Sequence, residues 1–276
     1  MLSASDKVLV TGATGFTGAF LVKALIKLGC EVHAIARASS RLGDLASLPV
    51  IWHRGDVHDP AVIEEAVQGI HVIFDLAAAY REAKAGDEVY TLVRVKSTQL
   101  LAEAASRQSG FRKFVHVSTV GVLGHIEKPP ANEESPYNPG DIYQRTKVDG
   151  EIWIRDFAKS RGLPLTVIRP AAIYGPGDRR LLKVFKLAKM PITPMLGFGK
   201  GLYHLIHVED LVSYLIAAAE PDPKTNGQVY ICGNPQTYSF PEMTRVIKQE
   251  LGLPYRVLRI PAAPFFLLGY IVEAIC

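Results

Sequence analysis

Short apolar runs and helical apolar spacing alternate along the first half of the chain. Lys7 to Val10 leads a short apolar run that closes at Thr11 and Gly12. Phe20, Leu21, Ala24, Leu25 and Leu28 then recur at the period of a helix with one buried face, and Gly29 ends the segment. The same reading predicts strands at Val32–Ala36, Val50–His53, Val72–Leu76 and Phe114–Ser118. A short helix is expected near Leu42–Leu48 and a long one over roughly 88–107. Strands alternating with helices predict parallel βαβ units wound right-handedly, and so an α/β fold built on a Rossmann-type doubly wound parallel sheet.

The pattern then changes. Glu127–Gly140 carries Pro129, Pro130, Pro136 and Pro139 among acidic residues and reads as a loop. A helix follows from about Ile142 to Ser160, then a sixth strand at Leu165–Ile168, broken by Pro170. Prolines 176, 191 and 194 and glycines 175, 177, 197, 199 and 201 punctuate the stretch to about residue 203. That suits a smaller, irregular lobe on the substrate side rather than more sheet. His207–Ala219 and Val229–Cys232 read as a return to the main domain.

Composition narrows the classes. A chain of 276 residues, 48% hydrophobic and 21% charged, can bury a core without disulfides or a structural metal. A net charge of +4, with no basic run interleaved with aromatics, argues against nucleic acid as a partner. Cys30, Cys232 and Cys276 form no CxxC pair and no metal-ligand spacing. They predict free thiols in a reducing cytoplasm, and no metal site is expected. The start of the chain lacks the charged and apolar stretches of a signal peptide. The run Ala262–Cys276 is apolar apart from Glu273, but shorter than the ~20 residues that span a bilayer, so no membrane span is expected.

The first chemical signal lies between the first strand and first helix. Gly12, Thr14, Gly15, Phe16, Thr17 and Gly18 form a glycine-rich loop there. Gly12 would permit the tight turn, Gly15 would let backbone approach a pyrophosphate, and Gly18 would let the helix pack closely on the sheet. The helix start offers unpaired N–H groups and a positive dipole end to the phosphates. A dinucleotide cofactor is the expected ligand. Its type reads from the end of the second strand, where an acidic residue would bind a free ribose hydroxyl. This chain has Arg37 there, with Arg41 close behind, and an arginine fork suits a phosphate. NADP(H) is therefore expected over NAD(H). Asp56 has two readings, an acceptor for the adenine amino group or the cap of the helix beginning near Pro60.

Tyr143 and Lys147 are four apart at the start of a helix, and so on one face. A tyrosine is a poor base at its ordinary pKa of ~10, but a nearby ammonium favours the phenolate. The same lysine can hold the nicotinamide ribose. An exposed helix pair would show the same spacing. What distinguishes this one is Ser118 and Thr119 at the carboxyl end of the fifth strand, where open α/β sheets place ligands. Neighbouring strand residues point opposite ways, so only one of the two hydroxyls should face a substrate.

With these residues in hand the chain resembles a known family. TGATGFTG at 11–18, GDV at 55–57, DLAAAY at 75–80, VST at 117–119, YQRTK at 143–147, RPAAIYGPGD at 169–178 and HVEDLV at 207–212 stand in the order of the extended short-chain dehydrogenases/reductases, also called the NAD-dependent epimerase/dehydratase family. The resemblance implies an NAD(P)-binding Rossmann domain over 1–170 plus about 207–235. It implies a substrate-binding lobe over about 171–206 and 236–276. It selects Thr119 as the polarising hydroxyl beside Tyr143 and Lys147. It also implies that Val57, Leu76, Ala77, Ala78, Pro170 and Ile173 line the cofactor. A homodimer through the helices near 88–107 and 142–160 is implied as well. Two departures stand out: Arg94 where the family often has asparagine, and Asp75 where it often has histidine.

Val120 and Gly121 follow Thr119 where the sugar-nucleotide dehydratases of the family carry Asp-Glu. Tyr203 replaces an arginine that binds diphosphate in many epimerases, and 190–203 is rich in apolar residues. This likens the chain to the dihydroflavonol-reductase and 3β-hydroxysteroid-dehydrogenase branch. The expected activity is a hydroxyl/ketone oxidoreductase acting on a fairly apolar small molecule, with Tyr143 as general acid/base. A sugar-nucleotide epimerase and a non-catalytic NADP(H)-binding regulator are the alternatives. Arg94, Arg179 or Arg180 would have to hold the diphosphate in the epimerase case.

Overall fold

The computed structural model describes residues 2–77, 91–199 and 201–261. The residues from 88 to 90 of the long predicted helix, Ala78, and the apolar run 262–276 with Cys276 lie outside that set. The strands are β1 (Lys7–Thr11), β2 (Glu31–Ala36), β3 (Val50–Arg54), β4 (Val72–Asp75), β5 (Lys113–Val117), β6 (Leu165–Pro170), β7 (Ala172–Tyr174), β8 (Thr193–Leu196), β9 (Leu202–His207), β10 (Gln228–Cys232), β11 (Thr237–Ser239) and β12 (Val257–Ile260). The α-helices are α1 (Phe16–Lys27), α2 (Pro60–Ala66), α3 (Ser97–Ser106), α4 (Ile142–Arg161), α5 (Leu182–Lys189), α6 (Val208–Ala218) and α7 (Phe240–Glu250).

The chain divides into two compact units. The first comprises Met1–Ile173 and Ile206–Gly233, and the second Tyr174–Leu205 and Asn234–Cys276. The first holds a seven-stranded sheet in the order β10-β6-β5-β4-β1-β2-β3, every pair parallel. The order reverses between β1 and β4, the topological switch point where such sheets bind ligands at their carboxyl edge.

A strand buried on both faces reads as a continuous apolar run, and β1 shows why. Val8 and Val10 face one layer with Leu21 and Leu25 of α1 and Leu211 and Leu215 of α6. Leu9 faces the opposite layer with Leu101 of α3, Ile154 of α4 and Phe114 of β5. All three β1 residues are fully buried.

Several local expectations need correction. The short helix expected near 42–48 takes the 3-10 form over Gly43–Ser47, with Leu45 its buried residue. β6 runs on through Arg169 to Pro170, which ends the strand opposite Cys232. A terminal proline removes no donor that the strand interior needs. The stretch to residue 203 is not irregular. It holds α5 and β8 despite its prolines and glycines. In this second unit β8 pairs parallel with β12, and Lys248 of α7 donates to the Met190 carbonyl at 2.7 Å just past the end of α5. No described helix is long and apolar enough to cross a membrane.

Candidate active site

The glycine loop closes β1 onto α1. Gly12 has a φ of +68°, and a Cβ there would lie 2.9 Å from the Leu76 carbonyl oxygen at the end of β4. A Cβ on Gly18 would lie 2.2 Å from the Gly12 oxygen, an impossible approach. Gly18 thus packs the helix against its own loop rather than against the sheet. Gly15 is the N-cap of α1 and offers no capping side chain, and the first turn holds no acidic residue. Thr14 and Gly15 are exposed, while Phe16 and Thr17 are half-buried. An uncapped, positively polarised helix end over a cradle lined by Gly12 and Gly15 fits the phosphates of a dinucleotide.

At the neighbouring strand ends Arg37 and Arg41 are exposed. The structure adds Arg54, whose Nη1 donates to the Arg37 carbonyl at 3.4 Å. The sequence signal for it was its place at the end of β3, opposite Ala36. Asp56 is exposed, and α2 is capped instead by Asp59, whose carboxylate accepts from the Ala61 N–H. Of the two readings of Asp56 the helix cap therefore falls away. Val57 and Leu76 are half-buried against the two core layers, Ala77 and Pro170 are buried, and Ile173 is half-buried.

Asp75, one of the two departures, is a buried hub. Its oxygens accept from Thr11 Oγ1 at 3.0 Å and His116 Nδ1 at 3.0 Å, with Thr98 Oγ1 2.7 Å away. Thr11 Oγ1 in turn accepts from the Leu76 and Ala77 N–H groups at 3.1 and 3.0 Å. Asp75 thereby ties β4 to β1, β5 and α3 beneath the glycine loop. Burial pushes its carboxyl up, but bonding to His116, the charge of that ring and Thr98 outweigh this and hold it below its ordinary value.

Tyr143 and Lys147 lie on α4, whose N-terminus is capped by Asp141. Lys147 is buried, and its Nζ donates to the Val117 carbonyl at 2.7 Å, at the end of β5. Burial, with Arg94 adding repulsion, pulls its pKa down to about 8, while Asp75 and Glu151 oppose the fall. Tyr143 is half-buried. The two hydroxyls of β5's edge separate as alternation requires. Ser118 is buried, near Glu151 but without a well-aligned hydrogen bond. Thr119 is half-buried, and its Oγ1 accepts from the Gly121 N–H at 3.1 Å. A Cβ on Gly121 would lie 3.4 Å from Thr119 Oγ1 and 3.6 Å from Gln144 Nε2, so Thr119 and the first turn of α4 meet across that glycine.

Arg94, the other departure, sits in a π-helical turn, Leu92–Lys96, just before α3. It is 2% exposed. Its Nη1 donates to the Tyr143 carbonyl at 3.0 Å and to Thr146 Oγ1 at 2.9 Å. Its guanidinium carbon stands 3.9 Å from the centroid of the Tyr143 ring. Below this corner Glu151 accepts from Arg169 at 2.6 Å and from Tyr137 at 2.8 Å, which pins the loop before α4. Among the described residues no cluster of His, Cys, Asp and Glu is arranged as a metal site.

Comparison with known proteins places this geometry in context. Residues 8–233 match the model of the NAD dependent epimerase/dehydratase family. Sterol demethylase protein B of Methylococcus capsulatus is 32% identical over 92% of this chain and 77% of its own. A 3 beta-hydroxysteroid dehydrogenase/Delta 5-->4-isomerase of Mycobacterium tuberculosis is 31% identical over 96% of this chain and 75% of its own. Among solved structures, the UDP-glucuronic acid 4-epimerase of Bacillus cereus in complex with NAD superposes with a TM-score of 0.77 at 25% identity. That match covers 93% of this chain and 87% of the other.

Proposed function

This chain belongs to the NAD-dependent epimerase/dehydratase family, and we propose that within it the protein interconverts a hydroxyl and a ketone on a fairly apolar small molecule. The observation that carries the reading is the Tyr143–Lys147 pair on one face of α4, its lysine buried against the end of β5. A buried amine at that spot is costly unless its charge is used.

When bound, a reduced nicotinamide would supply the hydride that the carbonyl carbon receives. Gly12, Gly15 and the start of α1 would hold the cofactor's phosphates, with Thr14, Phe16 and Thr17 around them. Thr119 Oγ1 donates a hydrogen bond to the carbonyl oxygen and orients it. Tyr143 Oη gives its proton to that oxygen as the alkoxide forms, and the Lys147 ammonium steadies the phenolate left behind. Solvent then restores the tyrosine proton. The reverse direction runs through the same groups, with the phenolate as base.

Three features support the finer choices. Arg37 and Arg41, with Arg54 behind them, suit a 2′-phosphate, which favours NADP(H) over NAD(H). Phe198 and Leu202 of the second unit are 70% and 62% exposed, and Ile192 and Leu196 beside them in sequence are exposed too, an apolar set suited to a ring system. Arg94 is committed to Tyr143 and Thr146, and Arg180 to Asp178, which leaves both ill-suited to a diphosphate. The two sequence relatives named for sterol and steroid chemistry point the same way. The likeness to the Bacillus cereus 4-epimerase keeps sugar-nucleotide epimerisation as the second reading. The outward face of α4, with exposed Ile152 beside Trp153 and Phe157, favours a homodimer. Calorimetry with a steroid ketone and with UDP-sugars, each beside NADPH, tests the substrate class. Tight UDP-sugar binding without any response to the ketone would promote the epimerase.

A further inference from the structure

We propose that Arg94 is a positioning residue for Tyr143, fixing the plane of its ring and favouring its phenolate through the cation laid on the ring face. The inference rests on the reading of Tyr143 as the proton-transfer group, and it concerns a position where the family often has a neutral asparagine.

The geometry is specific. Arg94 is buried, and its Nη1 is fixed by two acceptors on α4, the Tyr143 carbonyl and Thr146 Oγ1. Thr146 Oγ1 itself donates to the Ile142 carbonyl at 3.0 Å, so the guanidinium is anchored to the first turn of the helix that carries Tyr143. The guanidinium carbon so held stands over the Tyr143 ring, 3.9 Å from its centroid. A guanidinium on an aromatic face is attracted by the ring's negative quadrupole, and the attraction grows when the ring carries a full negative charge. The backbone is shaped for this approach. The π-helical turn swells the chain at Arg94, and Gly150 makes room for it, since a Cβ there would stand 3.3 Å from the Arg94 carbonyl oxygen. A Cβ at 150 would be a tight contact that the turn would have to yield to.

Arg94 also bears on the second member of the pair. It is one of the causes that draw Lys147 down to about 8. Two cations of different kinds thus stand at this corner: an always charged guanidinium on the face of Tyr143, and an ammonium one helical turn on that can lose its proton. Other titratable groups around this corner, among the described residues, include Asp141 and Glu151 on α4, Arg169 on β6 and Tyr137 in the loop before α4, both bonded to Glu151, Asp75 on β4 and His116 on β5.

Tyrosinate absorbance of the cofactor-free protein, taken as the difference from Tyr143→Phe, reads Tyr143 alone and needs no substrate. In Arg94→Gln the midpoint should rise by about one unit or more, a tenfold change in ionisation. The limb of the kcat/KM profile assigned to Tyr143 should move with it, while NADPH affinity stays within about twofold. Arg94→Lys, with charge but no planar fork, should fall between the two. Lys147→Met tests the same point with Arg94 intact: Tyr143 should still ionise below ~10. A midpoint unchanged in Arg94→Gln overturns the proposal. Should Arg94→Gln fail to fold, a midpoint at or above ~10 in Lys147→Met overturns it instead. Full turnover by Tyr143→Phe would instead defeat the underlying reading and leave the titration to judge Arg94 separately.

Discussion

Lys147 Nζ donates to the Val117 carbonyl at 2.7 Å in a buried setting, so the end of β5 and the start of α4 are joined through a charged group. Between about 8 and its ordinary 10.5 the folded protein binds fewer protons at this lysine than the unfolded chain does. Stability therefore rises with pH across that window and sits at its lower level below it. Lys147→Met removes the term. Thermal melts of both proteins from about pH 7 to about pH 10 should show wild type gaining on the variant as pH rises. A gap that stays constant or widens the other way would show that the lysine keeps its charge when folded. The variant should also lose turnover and bind cofactor more weakly.

Arg37 and Arg41 stand exposed beyond β2. Arg37→Asp should weaken NADPH binding at least about tenfold, or ~1.4 kcal/mol, and leave NADH binding equal or better. Fluorescence titration of both cofactors on both proteins reads this directly. A wild type that prefers NADH contradicts the assignment.

Asp75 accepts from Thr11 and His116 beneath the glycine loop, with Thr98 in bonding reach. Asp75→Asn turns an acceptor into a donor facing groups that already donate, and should cost about 1–3 kcal/mol in urea unfolding. A lowered carboxyl contributes stability above its unfolded value of 3.8 and loses it as pH falls through the folded one. The difference between wild type and variant should therefore shrink in acid. An undiminished difference there would assign the loss to packing alone.

Thr119 is half-buried and Ser118 buried at the same strand edge. Thr119→Ala should lower kcat by about tenfold to a hundredfold, in the range of a lost transition-state hydrogen bond. Ser118→Ala should stay within about twofold, since its hydroxyl makes no well-aligned bond to lose. The reverse order would move the polarising role to Ser118.

What the sequence could tell follows the physics of each feature. Period and burial coincide in the central strands: Val8, Leu9 and Val10 are apolar because both faces of β1 are covered. Gly12 and Gly18 were legible because the chain comes too close there for a Cβ. The helix of the second unit beginning at Phe240 carries its start signal locally. Ser239 and Glu242 form a reciprocal capping box, with a proline at the helix start. Arg94 and Asp75 were visible only as departures. Their partners, Tyr143 and Thr146 for one and Thr11, Thr98 and His116 for the other, lie on other elements, and local pattern carries no trace of them. Lys147's partner is a backbone carbonyl, which no side-chain motif announces.

The central claim is that Tyr143 moves the proton in hydride transfer to an apolar ketone. It is tested most directly by single-turnover oxidation of bound NADPH with a steroid or flavonoid ketone, on wild type and Tyr143→Phe. The substitution removes one hydroxyl and leaves the Arg94 and Lys147 hydrogen bonds in place. The account predicts a clear burst for wild type and a rate at least about a hundredfold lower for the variant, with NADPH affinity within about twofold. A variant that oxidises NADPH at the wild-type rate would contradict it.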